Sequence, residues 1–299
     1  MRYVGVDVGG TLLRVLVESD GVRGAVARHA VPRSYDELVG LVAELVGQGA
    51  HAVGVGLPGT SAGGSPVFVP ALPWLEGRPL ADDLAERLGA PVRLGLDGHL
   101  TLLAESVEGA AKGRRSAVLV AVGTGIGGAL LVDGRIWRGA HGSAGSWGWL
   151  PAGSYTGGPD TDGPDTGGPD TGGPDTGGPD TGGPDTGGFE GAASGAALGG
   201  RGPELVAAAR AGRVPPELDA YARRLARGIA ALASTLDPEV VVVGGGMADA
   251  MDVLGPMLAV HIGRLASPDG RRVPVVAAGL GSSAGAVGAL LAARIGEDW

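Results

Sequence analysis

The chain has 299 residues, 44% hydrophobic and 18% charged, with a formal charge of −9 and no cysteine. This excludes disulfides and cysteine-ligated zinc or iron–sulfur sites, lacks the basic footprint of a general nucleic-acid binder, and contains no apolar run of the roughly 18 residues that span a membrane. The length suits two lobes of about 150 residues each, and the start MRYVGVDVGG lacks the basic, apolar and cleavage regions of an export signal, so a cytoplasmic protein is expected.

Residues 3 to 17, YVGVDVGGTLLRVLV, read as two β-branched strands around Gly9-Gly10. Glycine accepts positive φ and lets a ligand approach the backbone, so the turn aims N–H groups and the Thr11 hydroxyl at an anion such as phosphate. A plain hairpin turn with Asp7 as a solvated edge residue is the equal alternative on this stretch alone.

Helical spacing follows over 35–46, and the short apolar run 52–57 reads as a buried strand closed by Pro58-Gly59. Residues 79–88 read as a helix with proline in its first turn, and 91–97 as a strand that delivers Asp97 at its end. A helix over 100–110 comes next, then strands over 117–122 and 128–132 around a glycine-rich turn, and the tight turn Asp133-Gly134. Residues 157–188 form a pentapeptide array with six copies of GPDT and no core-forming side chain. Proline and paired glycines favour neither helix nor strand, so an irregular surface loop is expected; calcium-binding repeats of this kind carry an inward apolar residue in each copy, and this array has none. Seven aspartates (Asp160, Asp162, Asp165, Asp170, Asp175, Asp180 and Asp185) sit in it, so most of the negative charge is local to the array. Beyond it, 218–236 reads as a long helix and 239–243 as a strand. Hairpins mixed with βαβ units imply an α/β architecture with ligands at strand ends.

Three glycine-rich turns each follow a strand: Asp7-Val8-Gly9-Gly10-Thr11, Gly123-Thr124-Gly125-Ile126-Gly127-Gly128 and Gly244-Gly245-Gly246. Any one is a weak signal. Two that carry threonine, in separate halves of the chain, suit a nucleotide gripped between lobes. Phosphoryl transfer to an alcohol calls for a carboxylate that accepts the hydroxyl proton and for Mg²⁺ on the phosphate oxygens, and Asp97 lies between the two turns. Asp97 also reads as a helix N-cap.

In combination these motifs resemble the ROK (repressor, open reading frame, kinase) sugar kinases of the actin-like ATPase superfamily, almost end to end. Asp7 to Arg14 is similar to the family's first phosphate motif and Gly56-Leu57-Pro58-Gly59 to its G-x-P-G turn. Asp97 stands at the catalytic base of Asn-Asp-x-Asn, Gly123 to Gly128 at the second phosphate motif, Leu236 to Gly246 at the adenosine side, and Leu280-Gly281, Ala284-Gly285 and Gly288-Ala289 at the closing helix. The resemblance implies an actin-like (ribonuclease H-like) two-lobe α/β fold with an interlobe cleft. Its first lobe would be 1–110 plus the C-terminal helix at about 284–299, and its second lobe 111–283. It further implies ATP and Mg²⁺ as cofactors, with Asp7, Gly9, Gly10, Thr11, Arg14, Gly123, Thr124, Gly125, Gly127, Gly244, Gly245 and Gly246 at the nucleotide. Mg²⁺ would be reached from Asp7 and Asp97, with water between, and Gly59, Asp97, His99, Ser146, Trp149 and Glu190 would lie at the acceptor. A homodimer is implied by analogy, with no nucleic-acid or membrane partner.

The departures fall on the acceptor side. Leu96 and His99 replace the two asparagines around the base, and Ser146-Trp147-Gly148-Trp149 replaces Glu-x-Gly-His. The cysteine zinc loop is missing, with the array in its place and Gly188 at its last cysteine, so no zinc is expected; Glu190 still matches the final sugar-binding glutamate. A site that has exchanged hydrogen-bonding groups changes its preferred acceptor, and a less hydroxylated, modified or cyclitol-like alcohol is expected in place of glucose. Trp149 reads equally as packing in the vacated zinc space or as a surface for the acceptor, and His99 and His141 read as surface or hydrogen-bonding residues. The rival to an active kinase is a catalytically impaired nucleotide- or sugar-binding sensor or remnant. Asp7 lies too near the start to leave room for the DNA-binding segment of regulatory members.

Overall fold

A computed structural model describes residues 1–62, 64–151, 188–296 and 299; all of the array except Gly188 lies outside them. The opening segment folds as the expected hairpin of β1 (Arg2–Val8) and β2 (Leu12–Ser19), followed by β3 (Val22–Arg23), β4 (Ala27–Ala30) and α1 (Tyr35–Val46). Next come β5 (Ala52–Leu57), the hairpin β6 (Thr60–Ala62) and β7 (Ser65–Phe68), α2 (Leu80–Leu88), β8 (Val92–Leu96) and α3 (Asp97–Glu108). The second half holds β9 (Ala117–Val122), β10 (Ile126–Val132), β11 (Arg135–Ile136), α4 (Phe189–Ala193), α5 (Gly202–Arg210), α6 (Pro216–Leu236), β12 (Val241–Gly244), α7 (Met251–Leu265), β13 (Val275–Ala277) and α8 (Ala284–Ile295).

Two mixed sheets repeat one plan. The first runs β3-β2-β1-β5-β8 with β4 also on β2, and the second runs β11-β10-β9-β12-β13. In each, an antiparallel hairpin is extended by two parallel strands: β5 and β8 beside β1, β12 and β13 beside β9. The glycine turns at 9–10 and 123–125 therefore occupy equivalent hairpins.

Period-2 alternation sorts each strand between two cores. Val4, Val6 and Val8 of β1 and Val53, Val55 and Leu57 of β5 pack with Leu38 and Val42 of α1 and Leu80, Leu84 and Leu88 of α2. Val118, Val120 and Val122 of β9 pack with Leu218, Leu225 and Ile229 of α6 and Leu254 and Leu258 of α7. Between the sheets a third core joins Leu100, Leu102 and Leu103 of α3 and Ala286, Ala289 and Leu290 of α8 to Leu119, Leu131 and Val242 of the second sheet. The layers run helix, sheet, helix pair, sheet, helix.

The face of the first sheet turned to α8 carries glycine where the other face carries valine. Gly5 and Gly54 are paired across β1 and β5, and a Cβ on either would collide with the α8 backbone at Ala286 or Ala289. A Cβ on Gly288 of α8 would in turn strike the Leu100 carbonyl of α3. Backbone thus meets backbone on both sides of α8.

Several boundaries differ from the sequence reading. The helix expected from 100 begins at Asp97, with Leu96 as N-cap, because an acidic side chain in the first turn complements the helix dipole. The strand expected over 239–243 begins at Val241, since Glu239 leaves the ladder and its carboxylate accepts from the Arg115 and Ser116 N–H groups at 2.6 and 3.3 Å. Helix α7, over a stretch to which the sequence reading assigned no element, carries Gly255 and Pro256 in its second turn.

Gly54→Ala is expected to destabilise the fold by about 1–3 kcal/mol, the typical cost of overpacking. Gly40→Ala, in α1 with nothing within 4 Å of its Cβ position, should stabilise by about 0.5–1 kcal/mol. Urea midpoints of the two variants check the pair.

Candidate active site

The parallel strands of the first sheet end in a row. Asp7, Gly56 and Gly95 are in register across β1, β5 and β8, and Asp97 lies two residues beyond Gly95 at the first position of α3, where the Asp7 charge acts on it. Gly56 and Gly95 hold no side chain between the two aspartates; Leu100 fills that space, with a Cβ on either glycine only 3.0 Å from its side chain.

Asp7 is buried, 8% exposed, and pairs with Arg14 across the hairpin at 3.2 Å. The first turn of α8 lies on its carboxylate, where a Cβ on Gly285 would come within 2.6 Å of Cγ. Burial pushes the Asp7 carboxyl above its ordinary range, and the Arg14 guanidinium opposes that rise. The Asp97 side chain opens onto solvent but lies deep among protein atoms. Loss of bulk water around it raises its carboxyl to about 6; the Gly98 N–H, donated at 2.6 Å, works against this and the Asp7 charge adds to it. The N-cap of α3 is Leu96, so the reading of Asp97 as a cap is corrected: its carboxylate accepts from the adjacent N–H inside the first turn. Two hard oxygen donors, Asp7 and Asp97, fit a Mg²⁺ ion that keeps part of its water shell.

The turns differ in how they use glycine. In the first, neither Gly9 nor Gly10 has positive φ, so the expected left-handed geometry is not what selects them. Gly9 donates to Leu12 O at 3.0 Å, a Cβ on it would press that carbonyl, and Gly10 and Thr11 are exposed. In the second, Gly123 donates to Gly125 O at 2.9 Å, Thr124 is exposed at the apex, and space is open over Gly123 and Gly127. In the third, Gly245 does require φ +73°, because a Cβ would collide with the Val122 carbonyl at the end of β9; Gly246 is open.

The second turn is held from below by Glu190, whose Oε2 accepts from Ile126 N at 2.7 Å. Gly148 packs closely there too: a Cβ would lie 2.6 Å from Ile126 O and 3.2 Å from Glu190. Gly98, Gly128 and Gly145 stack backbone on backbone, joining the start of α3, β10 and the loop before Ser146. These contacts seat the start of α3, the loops at Gly145 and Gly148 and Glu190 against β10.

Two readings left open by the sequence, at His99 and Trp149, are narrowed here. His99 is buried, 1% exposed, with Nε2 2.6 Å from Ala144 O, because the glycine stack lays the 144–146 loop onto it; burial and the Arg138 charge lower its pKa, while the Ala144 bond opposes. It shapes the pocket from behind and is not a surface residue. Gly59 packs on β7, where a Cβ would collide with the Phe68 carbonyl. Trp149 is 54% exposed and fills no vacated zinc space. The packed indole is Trp147, whose Nε1 donates to Leu119 O at 2.8 Å. Ser146 is exposed with its hydroxyl turned to Ser143 O at 2.7 Å, and His141 is exposed as expected. Sequence reasoning missed Gly145 as a site-building position, and named Gly128 and Gly285 only as members of the second glycine turn and the closing helix; their shared signal is glycine at points of close chain approach, which a linear reading does not reveal.

The ROK family model matches residues 3–295. This chain belongs to the ROK family. It is 30% identical over 273 residues to a glucokinase of Streptomyces coelicolor, covering 85% of each chain. It is 32% identical over 158 residues to an N-acetyl-D-glucosamine kinase of Pectobacterium atrosepticum, covering 50% of this chain and 52% of that one. A solved ROK glucokinase from Streptomyces griseus, in complex with glucose and AMPPNP, superposes with a TM-score of 0.73 at 26% identity, covering 99% of this chain and all of that one. The fold is accordingly the actin-like two-lobe α/β fold of ROK sugar kinases. Among the described residues no helix is long and apolar enough to cross a membrane.

A raised carboxyl pKa weakens the fold as pH climbs from the ordinary value of 3.8 through about 6, because over that window the unfolded chain binds fewer protons than the folded one. Asp97→Asn should therefore raise the melting temperature at pH 8, with the gain vanishing below pH 4. Thermal unfolding at the two pH values checks the sign.

Proposed function

We propose that this ROK-family carbohydrate kinase transfers the terminal phosphoryl group of ATP to a hydroxyl of a sugar-like acceptor, with Asp97 as general base. The observation that carries the reading is the placement of Asp97: solvent-open, just past a parallel strand end, raised to about 6, and within reach of the Asp7 charge. A base of that strength is ionised at neutral pH yet retains affinity for a proton.

In this reading Gly9, Gly10, Thr11 and Arg14 meet the phosphates from one lobe and Gly123, Thr124, Gly125 and Gly127 from the other, with Gly244, Gly245 and Gly246 on the adenosine side. The lobes are 1–110 with 284–299, and 111–283, and they close on the substrates. Mg²⁺, reached from Asp7 and Asp97 with water between, neutralises phosphate oxygens when bound. Asp97 takes the acceptor proton at its carboxylate. Glu190 uses one oxygen to hold the second phosphate turn through Ile126 N and leaves the other for the acceptor.

The acceptor is an alcohol with fewer hydrogen-bonding groups than glucose, such as a modified sugar or a cyclitol. The exposed Trp149 indole supports this, because it offers an apolar face where the family places a histidine. The quaternary state in this reading is a homodimer.

ADP release measured with ATP, Mg²⁺ and a panel of hexoses, amino sugars and cyclitols should depend on one acceptor class. Asp97→Asn should lower that turnover by about 10²–10⁴-fold, and kcat/KM of the parent should rise with pH through about 6 and then level. Absence of any acceptor-dependent release from the parent sinks the reading in favour of a sensor or remnant. Restoring the family's polar pair with Ser146→Glu and Trp149→His should shift kcat/KM toward glucose by about tenfold or more, the scale of regained hydroxyl recognition. An unchanged acceptor ranking would contradict the pocket assignment.

A further inference from the structure

The chain passes from the first sheet to the second through residues 109–116, between α3 and β9. It returns through 278–283, between β13 and α8. These two crossings touch. A Cβ on Gly279 would lie 3.4 Å from Ala110 N and 3.5 Å from Gly109 Cα, and one on Gly109 would collide with the carboxylate of Glu105.

Glu105, in the last turn of α3, is wholly buried. Its carboxylate is bonded to backbone N–H groups of both crossings. Oε2 accepts from Ala110 N at 2.7 Å on the outward crossing and from Gly279 N at 2.9 Å on the return, and Oε1 accepts from Leu280 N at 2.9 Å. Its main-chain carbonyl accepts from Gly109 N at 3.1 Å and Ala111 N at 3.0 Å. One residue thus satisfies five N–H groups spread over the two segments that join the lobes. Charge-assisted bonds to a buried carboxylate are stronger than neutral ones, and a buried N–H left without a partner is costly, so the junction resists coming apart. The glycines on either side tolerate the φ/ψ changes that a hinge must absorb.

We propose that Glu105 is the hinge pin of this kinase, a positioning residue that forces the two crossings to bend together and so fixes the axis on which the lobes close over the phosphates. The proposal rests on the reading that the lobes close around substrate, and it assigns Glu105 no contact with either substrate. A residue that merely stabilised α3 would alter melting temperature and leave turnover per folded molecule unchanged. A pin alters closure itself: kcat falls, because the base and the phosphate turns meet in the closed state, while KM for ATP changes little.

The test compares the parent with Glu105→Gln, which keeps the shape but places an amide N–H donor against a backbone donor. A second variant, Gly109→Ala, sets a Cβ in collision with Glu105 Oε2 and so displaces the carboxylate from the crossings with Glu105 itself unchanged. Hydrogen exchange read without ligand should rise about tenfold at Ala110, Gly279 and Leu280, with β1 and β9 amides unchanged, as expected for loss of one charge-assisted bond. Small-angle scattering should show the compaction produced by AMPPNP with Mg²⁺ in the parent to be reduced in both variants. With the acceptor class found for the parent, kcat should fall about tenfold with KM for ATP within about threefold. Unchanged exchange at the three amides, or parental compaction and kcat in both variants, overturns the pin. A parent that shows neither compaction nor turnover while the exchange result holds would instead count against the kinase reading.

Discussion

The site depends on how closely α8 lies on the first sheet. Gly5 and Gly54 remove the side chains that would keep helix and sheet at their usual separation, and Gly288 does the same toward α3. Since α8 is the helix that returns from the second sheet, this contact anchors the end of the described chain to its beginning. It also places the first turn of α8 on Asp7, whose charge burial disfavours and Arg14 favours. A methyl group on the seam would disturb more than packing, because the same surface carries a carboxylate one turn away.

The two aspartates are tuned differently by their surroundings. Asp7 is enclosed and neutralised by Arg14, which suits a fixed charge near phosphate. Asp97 has no arginine in its pKa balance, and Asp7 pushes it further up. Carboxylates whose environments differ in this way are suited to different tasks, one positioning charge and the other moving a proton.

Much of the fold was legible because local and tertiary signals agreed. Helix α1 has its expected bounds, since Ser34 caps it through the Glu37 N–H and the apolar spacing is regular. Strand β5 does too, as a continuous apolar run closed by Pro58-Gly59. Helix α7 was not, because Gly255-Pro256 reads locally as a stop while burial of Leu254, Leu258 and Ile262 overrides it. Within the site, residues at strand ends were readable from strand-then-glycine patterns. His99 and Glu105 were not: a polar residue on a helix reads as solvent-facing unless the partner chain is known, and both partners, Ala144 and the 279–280 segment, are distant in sequence.

The structure also explains why the phosphate side keeps the family pattern while the acceptor side departs from it. Each phosphate turn is tied to backbone that cannot move independently: Gly9 closes β1 onto β2, Gly245 abuts the end of β9, and Glu190 and Gly195 brace the turn between β9 and β10. A change there strains a sheet. Ser146 and Trp149 project from a short loop whose fixed points are backbone contacts at Gly145 and Gly148 and the half-buried Trp147. Their side chains are exposed and structurally replaceable, so the acceptor preference can change without touching the elements that hold Asp97. The residues proposed for phosphoryl transfer and those proposed for acceptor choice thus sit on separable parts of one fold, and the departures from the family's motifs fall on the second.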